Sequence, residues 1–543
     1  MKMQDEDLGP TRQDEMPTDD EENQADRIGE IDDDDDEDTG SGSSAPSTPS
    51  RRSSTGVDIQ PTWPQSYRQS MDILSTVASP SIGFLKGASL QGISGSMSSL
   101  YKRNQGSYLE SSLSRPLISD FGKEEVPPSP KIPAISNLSS RSKYSVTELP
   151  SASKCSFAQS VLNGINVLCG VGLLATPYAV REGGWSSLSL LLIFGGISCY
   201  TGILLKECLD SAPGLSTYPD IGQAAFGMTG RIIVAIVLYL ELYAASIEYL
   251  IMMSDNLASM FPNTNIYLAG MHLDCHQIFS ITATLVVLPT VWLRDLSLLS
   301  YVSIGGVITT FVVVVCLVWV GVVNQVGFHE KGTVLDLANL SVTIGIYGFC
   351  YAGHSVFPNI YSSMKEQSQF PTVLIISFLF CCLLNMLVAA CGYMMFGDSV
   401  QSQFTLNFPK EFVASKVAIW TTVLIPMSKY AMTLTPIALS LEELLPSEQL
   451  QSYTVSIIIR TLIVISTLIV ALTLPYFGIV MSLIGSLLAM LITLIFPCLC
   501  YVKILNGKLS TLKVTVCFVT IIVGIVCACV GTYSALARIA TKI

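Results

Sequence analysis

The sequence predicts an all-α polytopic membrane protein, with eleven transmembrane helices behind a disordered N-terminal leader. Three observations carry this reading. Half of the residues are hydrophobic and only 13% are charged, with a mean hydropathy of +0.51, a balance that suits a bilayer and not a soluble domain of this length. Apolar runs of spanning length recur from residue 156 to the end of the chain. The first 153 residues are rich in Ser, Pro, Gly and Asp, with the acidic run from Asp32 to Asp38 and no sustained apolar periodicity.

The leader also explains the charge. Residues 1–40 hold eighteen acidic residues against Lys2, Arg12 and Arg27, a charge of −15, so the net −12 of the whole chain leaves about +3 for the rest. With the acidity in one tail and no basic face to track phosphates, a nucleic-acid partner is excluded. An acidic polar segment precedes any apolar stretch, so no signal peptide is expected and the first span directs insertion. Ser79-Pro80, Ser129-Pro130 and Arg51-Arg52-Ser53 are candidate sites for kinases or sorting factors; a solvated leader with no dedicated partner is the other reading. The expected organisation is a tail over 1–153 and a transmembrane domain over 154–543.

A hydrocarbon core of about 30 Å needs about 17 to 25 apolar residues per helix. The runs fall at 156–180, 185–208, 230–252, 277–293, 298–323, 337–361, 371–396, 414–439, 455–474, 476–502 and 512–535. Between the ninth and tenth the sequence allows only a tight turn at Pro475-Tyr476. An odd number of spans puts the termini on opposite sides. With a cytosolic N-terminus, that side collects Arg141, Lys143, Lys154, Lys206, Arg231, Arg294, Lys365, Lys503, Lys508 and Lys513. The other side holds Arg181, Lys331, Lys410, Arg538 and Lys542. Ten against five follows the positive-inside rule. Most of the fifteen cysteines lie inside apolar runs and only Cys275 falls in a loop on the far side, so helix packing and not disulfides must hold the fold.

Spans one and six carry helix-weakening stretches that align without a gap at an offset of 181 residues. Over 164–177 and 345–358, five positions coincide: Gly164/Gly345, Ile165/Ile346, Cys169/Cys350, Gly172/Gly353 and Pro177/Pro358. Chance would give roughly one match in fourteen. Five spans separate the two starts, so the halves run in opposite directions, as inverted repeats do. Gly170, Gly172 and Gly353 ease departure from helical φ/ψ, and Pro177 and Pro358 remove backbone donors. Backbone groups freed at mid-depth survive only around a protein-lined or watery cavity. An amino-acid zwitterion suits such a site, its carboxylate on half-helix N–H groups and its ammonium on exposed carbonyls. Close helix packing through small residues is the competing reading of these glycines.

The run from Asn163 to Ala179, the motif Arg181-Glu-Gly-Gly-Trp, the segments 353–361 and 428–436 together resemble the amino acid/auxin permease family, and within it the vacuolar and vesicular amino acid transporters. The resemblance spans residues 155–537. It implies a LeuT-like fold, ten core helices as a 5+5 inverted repeat plus one extra helix, and proton-driven transport of neutral amino acids, by exchange across a vacuolar membrane. A transporter with no cofactor, working on a small-molecule amino acid and protons within membrane lipid, is the expectation; an amino acid-sensing receptor of the same fold and a plasma-membrane symporter are the alternatives. The substrate site is expected at Asn166, Gly170, Val171, Gly172, Tyr351 and Gly353.

Charged groups inside a bilayer cost about 2.5 to 3.5 kcal/mol each on insertion scales, so each needs a partner or a task. Glu241, Glu248 and Asp255 recur every seven residues on one helix face. Of these Glu248, mid-span, is the candidate proton carrier, interhelical hydrogen bonding being its other reading. His354 follows the Gly353 break and titrates near neutrality when unperturbed; otherwise it caps a freed carbonyl. Lys429 lies too deep in span eight to snorkel, and either pairs with a carboxylate or stands where a coupling cation would. His272 and His276, expected in a loop, form no ligand grouping with His329 and His354, and no phosphate-binding Gly-x-x-x-x-Gly-Lys-[Ser/Thr] motif is present, so neither a metal site nor an enzyme is expected.

Overall fold

The computed structural model describes residues 63–75, 154–268, 271–293, 297–328, 332–446 and 453–542. The candidate leader sites at residues 51–53, 79–80 and 129–130, and the charges at Arg141, Lys143, Arg294 and Lys331, lie outside them, as does His329.

Among the described residues the named elements are helices save for one two-stranded hairpin at Ile266–Leu268 and Met271–Leu273. In chain order the helices are α1 (Tyr67–Ser75), α2 (Phe157–Leu168), α3 (Gly172–Gly183), α4 (Ser187–Leu209), α5 (Tyr218–Met260), α6 (Cys275–Trp292), α7 (Ser297–Val322), α8 (Leu340–Cys350) and α9 (Phe357–Ser363). They continue with α10 (Phe370–Phe396), α11 (Val413–Glu442), α12 (Tyr453–Thr473), α13 (Phe477–Ile504) and α14 (Thr511–Ala540). Among the described residues eight helices are long and apolar enough to cross a membrane, nine with the bent pair α2 and α3 counted as one. The stretches Val307–Val322 and Leu340–Cys350 are apolar but shorter.

Local sequence accounts for the helix starts. Thr217 and Asp220 form a reciprocal capping box at α5, with Pro219 in the first turn where its missing N–H costs nothing. Asp274 and Gln277 do the same for α6. This places His276 in the first turn of a helix and His272 in a strand, a correction to the loop expected for both. Leu474 to Tyr476 make the tight link between α12 and α13, closed by the Tyr476 N–H donating to Leu474 O at 2.8 Å.

Helix α5 has 43 residues, about 65 Å at 1.5 Å per residue, roughly twice a bilayer core. It bends at Gly227, whose φ of 68° and ψ of −157° no L side chain adopts cheaply. The short arm before the bend folds back so that Asp220 reaches Arg231, and Gly222 and Gly230 touch backbone to backbone.

The surface carries large exposed apolar side chains such as Leu192, Val315, Trp319, Ile522 and Val526, while Ser, Thr and Asn side chains including Thr176, Ser246 and Asn385 are buried. That inversion of the soluble pattern belongs to a chain solvated by lipid. Small residues let the backbones approach. A Cβ on Gly164 would strike Ser377 of α10 at 2.5 Å. Gly345 of α8 and Gly485 of α13 meet in the same way, so close helix packing accounts for Gly164 and Gly345.

Among its described residues the leader departs from expectation. Residues 67–75 form helix α1, with Tyr67 and Met71 no more than 1% exposed against the bundle. Full disorder of the tail is therefore corrected for this stretch, whose Tyr67 and Met71, four residues apart, bury one helical face.

Candidate functional site

Both sequence breaks are real. Helix α2 stops at Cys169, whose φ of −84° and ψ of 67° leave the helical region, and α3 sets off at an angle of 49°. The turn between them is held by short-range bonds, Leu173 N–H to Gly170 O and Leu174 N–H to Val171 O. Helix α8 ends at Cys350, and residues 351–356 run non-helically to α9 with Gly353 N–H donating to Tyr351 O at 3.0 Å. Pro358 sits in the first turn of α9 and so starts a helix where the sequence suggested it would interrupt one. The breaks touch: a Cβ added to Gly172 would lie 2.9 Å from Cys350 Sγ and 3.1 Å from its Cα.

Around this contact lies a cavity of about 140 Å³, close to the ~150 Å³ that holds a benzene-sized guest. Its walls are the first break (Asn166, Gly170, Val171, Gly172), the second (Cys350, Ala352, Ser355, Val356), α5 and α11. Four of the six residues expected to bind substrate line it. Tyr351 and Gly353 do not: Tyr351 is fully buried and stacks on Phe378 of α10, 5.9 Å between centroids, and Gly353 packs on Phe357 and Val167.

Two ionisable side chains, one basic and one acidic, line the cavity. Lys429 lines it from α11, its Nζ donating to Asn166 O at 3.5 Å. That carbonyl is one of the last four of α2, where helix geometry leaves acceptors without an intrahelical partner and a cation is favoured. No carboxylate among the described residues is in ion-pair range of Lys429. Glu241 lines the cavity from α5, and its Oε2 has no hydrogen-bond donor among the described residues. Sequence spacing marked Glu241 as one of three acids and singled out Glu248; only depth relative to the breaks distinguishes them, and spacing carries no depth.

All three acids of α5 face inward, as their period of seven requires, yet they meet different surroundings. Glu248 is fully buried away from the cavity lining, with neither oxygen given a donor among the described residues. Asp255 accepts from Gln403 Nε2 at 3.0 Å and pairs with His276 Nε2 at 3.1 Å. His354 lies behind the cavity wall. Its Nε2 sits 3.1 Å from Ser198 O and 3.0 Å from Thr201 Oγ1, which fixes a proton on Nε2 and ties the second break to α4, while Nδ1 is without a partner among the described residues.

A family model described as "Transmembrane amino acid transporter protein" matches residues 153–537. The chain belongs to the transmembrane amino acid transporter family. Among proteins of Arabidopsis thaliana, it is 57% identical to "Amino acid transporter AVT1D" over 488 residues, covering 89% of this chain and 88% of that one. It is 55% identical to "Amino acid transporter AVT1E" (91% and 93% covered) and 53% identical to "Amino acid transporter AVT1B" (89% of each). As a member of the transmembrane amino acid transporter family this is an integral multi-pass membrane protein and not an enzyme. The alignment with AVT1E leaves 9% of 543 residues uncovered, about 49, so it reaches well into the leader and takes in α1.

Proposed function

We propose that this chain is a secondary active transporter that moves neutral amino acids across the vacuolar membrane in exchange for protons, with a cytosolic N-terminus and eleven spans arranged as a LeuT-like 5+5 repeat plus one. The observation that carries the reading is the meeting of two broken helices in one cavity that also presents an unpaired ammonium and a carboxylate.

The chemistry follows from the groups present. The substrate carboxylate lies toward the Val171 and Gly172 N–H groups at the start of α3, the Leu173 and Leu174 N–H groups being bonded within the turn, and toward Lys429. The substrate ammonium takes the carbonyls at the C-terminal ends of α2 and α8 and the carboxylate of Glu241. The side chain occupies a small, mostly apolar remainder, which fits uncharged substrates. Glu241 exchanges its proton with the cavity, and Glu248, two turns farther along α5, is a buried carboxyl that must stay neutral or meet a donor when the helices move. Lys429 on the Asn166 carbonyl stands where a metal cation would otherwise neutralise the freed helix end, which favours the proton over sodium. His354 pins the second break to α4 and offers only Nδ1 to a proton.

Counterflow tests the reading against a receptor that binds without transporting. Purified protein in liposomes loaded with an unlabelled neutral amino acid, with no pH difference, should take up labelled amino acid transiently above its equilibrium level. Saturable binding with no such overshoot would favour the sensing receptor.

A further inference from the structure

Helix α1 and the residues before it are bonded to three helices around the cavity, α5, α9 and α11. Tyr67 is 1% exposed and its hydroxyl donates to Ser355 O at 3.2 Å; Ser355 belongs to the second break and lines the cavity. The Tyr67 and Trp63 rings pack on Tyr239 of α5, 6.0 and 5.8 Å between centroids, one turn or less before Glu241. Polar bonds stitch the segment on all sides. Arg231 of α5 donates to Trp63 O and Pro64 O at 3.0 and 3.2 Å. Trp63 Nε1 donates to Ser440 O of α11, and the Gln65 and Ser66 N–H groups donate to the Glu443 carboxylate that follows it. From α9, Asn359 Nδ2 donates to Arg68 O and to Asp72 Oδ1 at 3.2 and 2.8 Å.

We infer that residues 63–72 are a plug on the tail side of the pathway, held in place in this conformation and required to leave before the cavity opens to that side. The argument is mechanical. Opening toward the tail requires α5, α9 and α11 to separate there, and a single segment bonded to all three opposes that separation with hydrogen bonds, most of them half-buried, and two aromatic side chains. Tyr67 is bonded to the backbone of Ser355, a residue of the cavity wall, and so stands in the way of a substrate leaving on that side while it is seated. The leader outside residues 63–75 then acts as the tether by which binding partners or modification would pull the plug out. This rests on the cavity being the transport site.

The test has one arm that needs no transport. In full-length protein carrying Ser355→Cys, a membrane-impermeant maleimide applied from the tail side and read by mass spectrometry should label position 355 at least about tenfold faster once Tyr67→Ala is added. Glu443→Ala, which cuts the anchor without touching the cavity, should move labelling in the same direction and guards against misfolding of the first variant. In the second arm, Asp72→Cys with Asn359→Cys is bridged by a short thiol-reactive cross-linker in liposomes, with each single variant and the unaltered chain as reagent controls. Flux should fall at least about tenfold and return on reduction. Equal labelling with and without Tyr67, or undiminished flux in the bridged protein, would overturn the plug. Absence of amino acid flux in the unaltered chain would instead count against the transport reading, and the labelling arm would still stand.

Discussion

The charges that face the cavity are where chemistry and sequence part company. Glu241→Gln keeps shape but removes titration and the charge that takes the substrate ammonium, so it should lower pH-driven uptake by at least about tenfold and weaken substrate binding, measured by thermal shift, by less than it weakens uptake. Glu248→Gln should act in the same direction through the buried second site. Lys429→Met should weaken binding and transport together, because it removes a contact present throughout the cycle. The glycines of the first break give a sharper pair. A Cβ at 172 meets the Cys350 backbone, whereas at 170 the nearest atom is 3.9 Å away. Overpacking costs about 1–3 kcal/mol, so Gly172→Ala should cut initial uptake on the order of tenfold and Gly170→Ala should leave it near normal. Residue types at the breaks were legible in the sequence because the Gly and Pro positions of spans one and six align and a lone lysine lies deep in span eight. Which side chains reach the cavity was not, since Tyr351 and His354 follow a turn whose direction no periodicity encodes, and both turn toward their neighbours α10 and α4.

Among elements, α5 and α1 carry the surprises. Gly227 holds the bend of α5 with no atom near its absent Cβ, so Gly227→Ala tests backbone strain alone. Such strain costs about 1–3 kcal/mol, and the variant should unfold several degrees lower in detergent and loosen the Asp220–Arg231 pair. An apolar-run count places the span inside this helix but not its folded arm, because the arm is amphipathic and too polar to register. Helix α1 escaped for a similar reason: nine residues with a single stripe of Tyr67 and Met71 are marginal alone and form only against the bundle. Its docking should respond to pH. Burial raises the Asp72 carboxyl above the ordinary carboxylate range, against the opposing pull of the Asn359 amide and the Arg68 charge. The docked form therefore binds the proton more tightly, so docking strengthens as pH falls and that contribution is lost as pH rises through the raised value. Hydrogen exchange of residues 63–75, corrected for intrinsic rates, should slow on going from about pH 7.5 to about pH 5, and Asp72→Asn should flatten the change.

For the molecule as a whole, the order and limits of the apolar runs were legible because a bilayer imposes one length on every span, and long helices such as α4, α10, α12 and α14 begin and end within a few residues of those runs. Breaks and folded arms, set by tertiary contacts, were legible only as weak points. The central claim is that the cavity couples amino acid movement to protons. Its most direct test is uptake of labelled neutral amino acid by the purified full-length protein in liposomes under two opposed conditions: a pH gradient without sodium, and a sodium gradient without a pH difference. Each pH unit supplies about 1.36 kcal/mol per proton, so two units should sustain up to roughly hundredfold accumulation at one-to-one coupling, with Glu241→Gln abolishing the accumulation. Uptake that follows only the sodium gradient, or full pH-driven accumulation by Glu241→Gln, would contradict it.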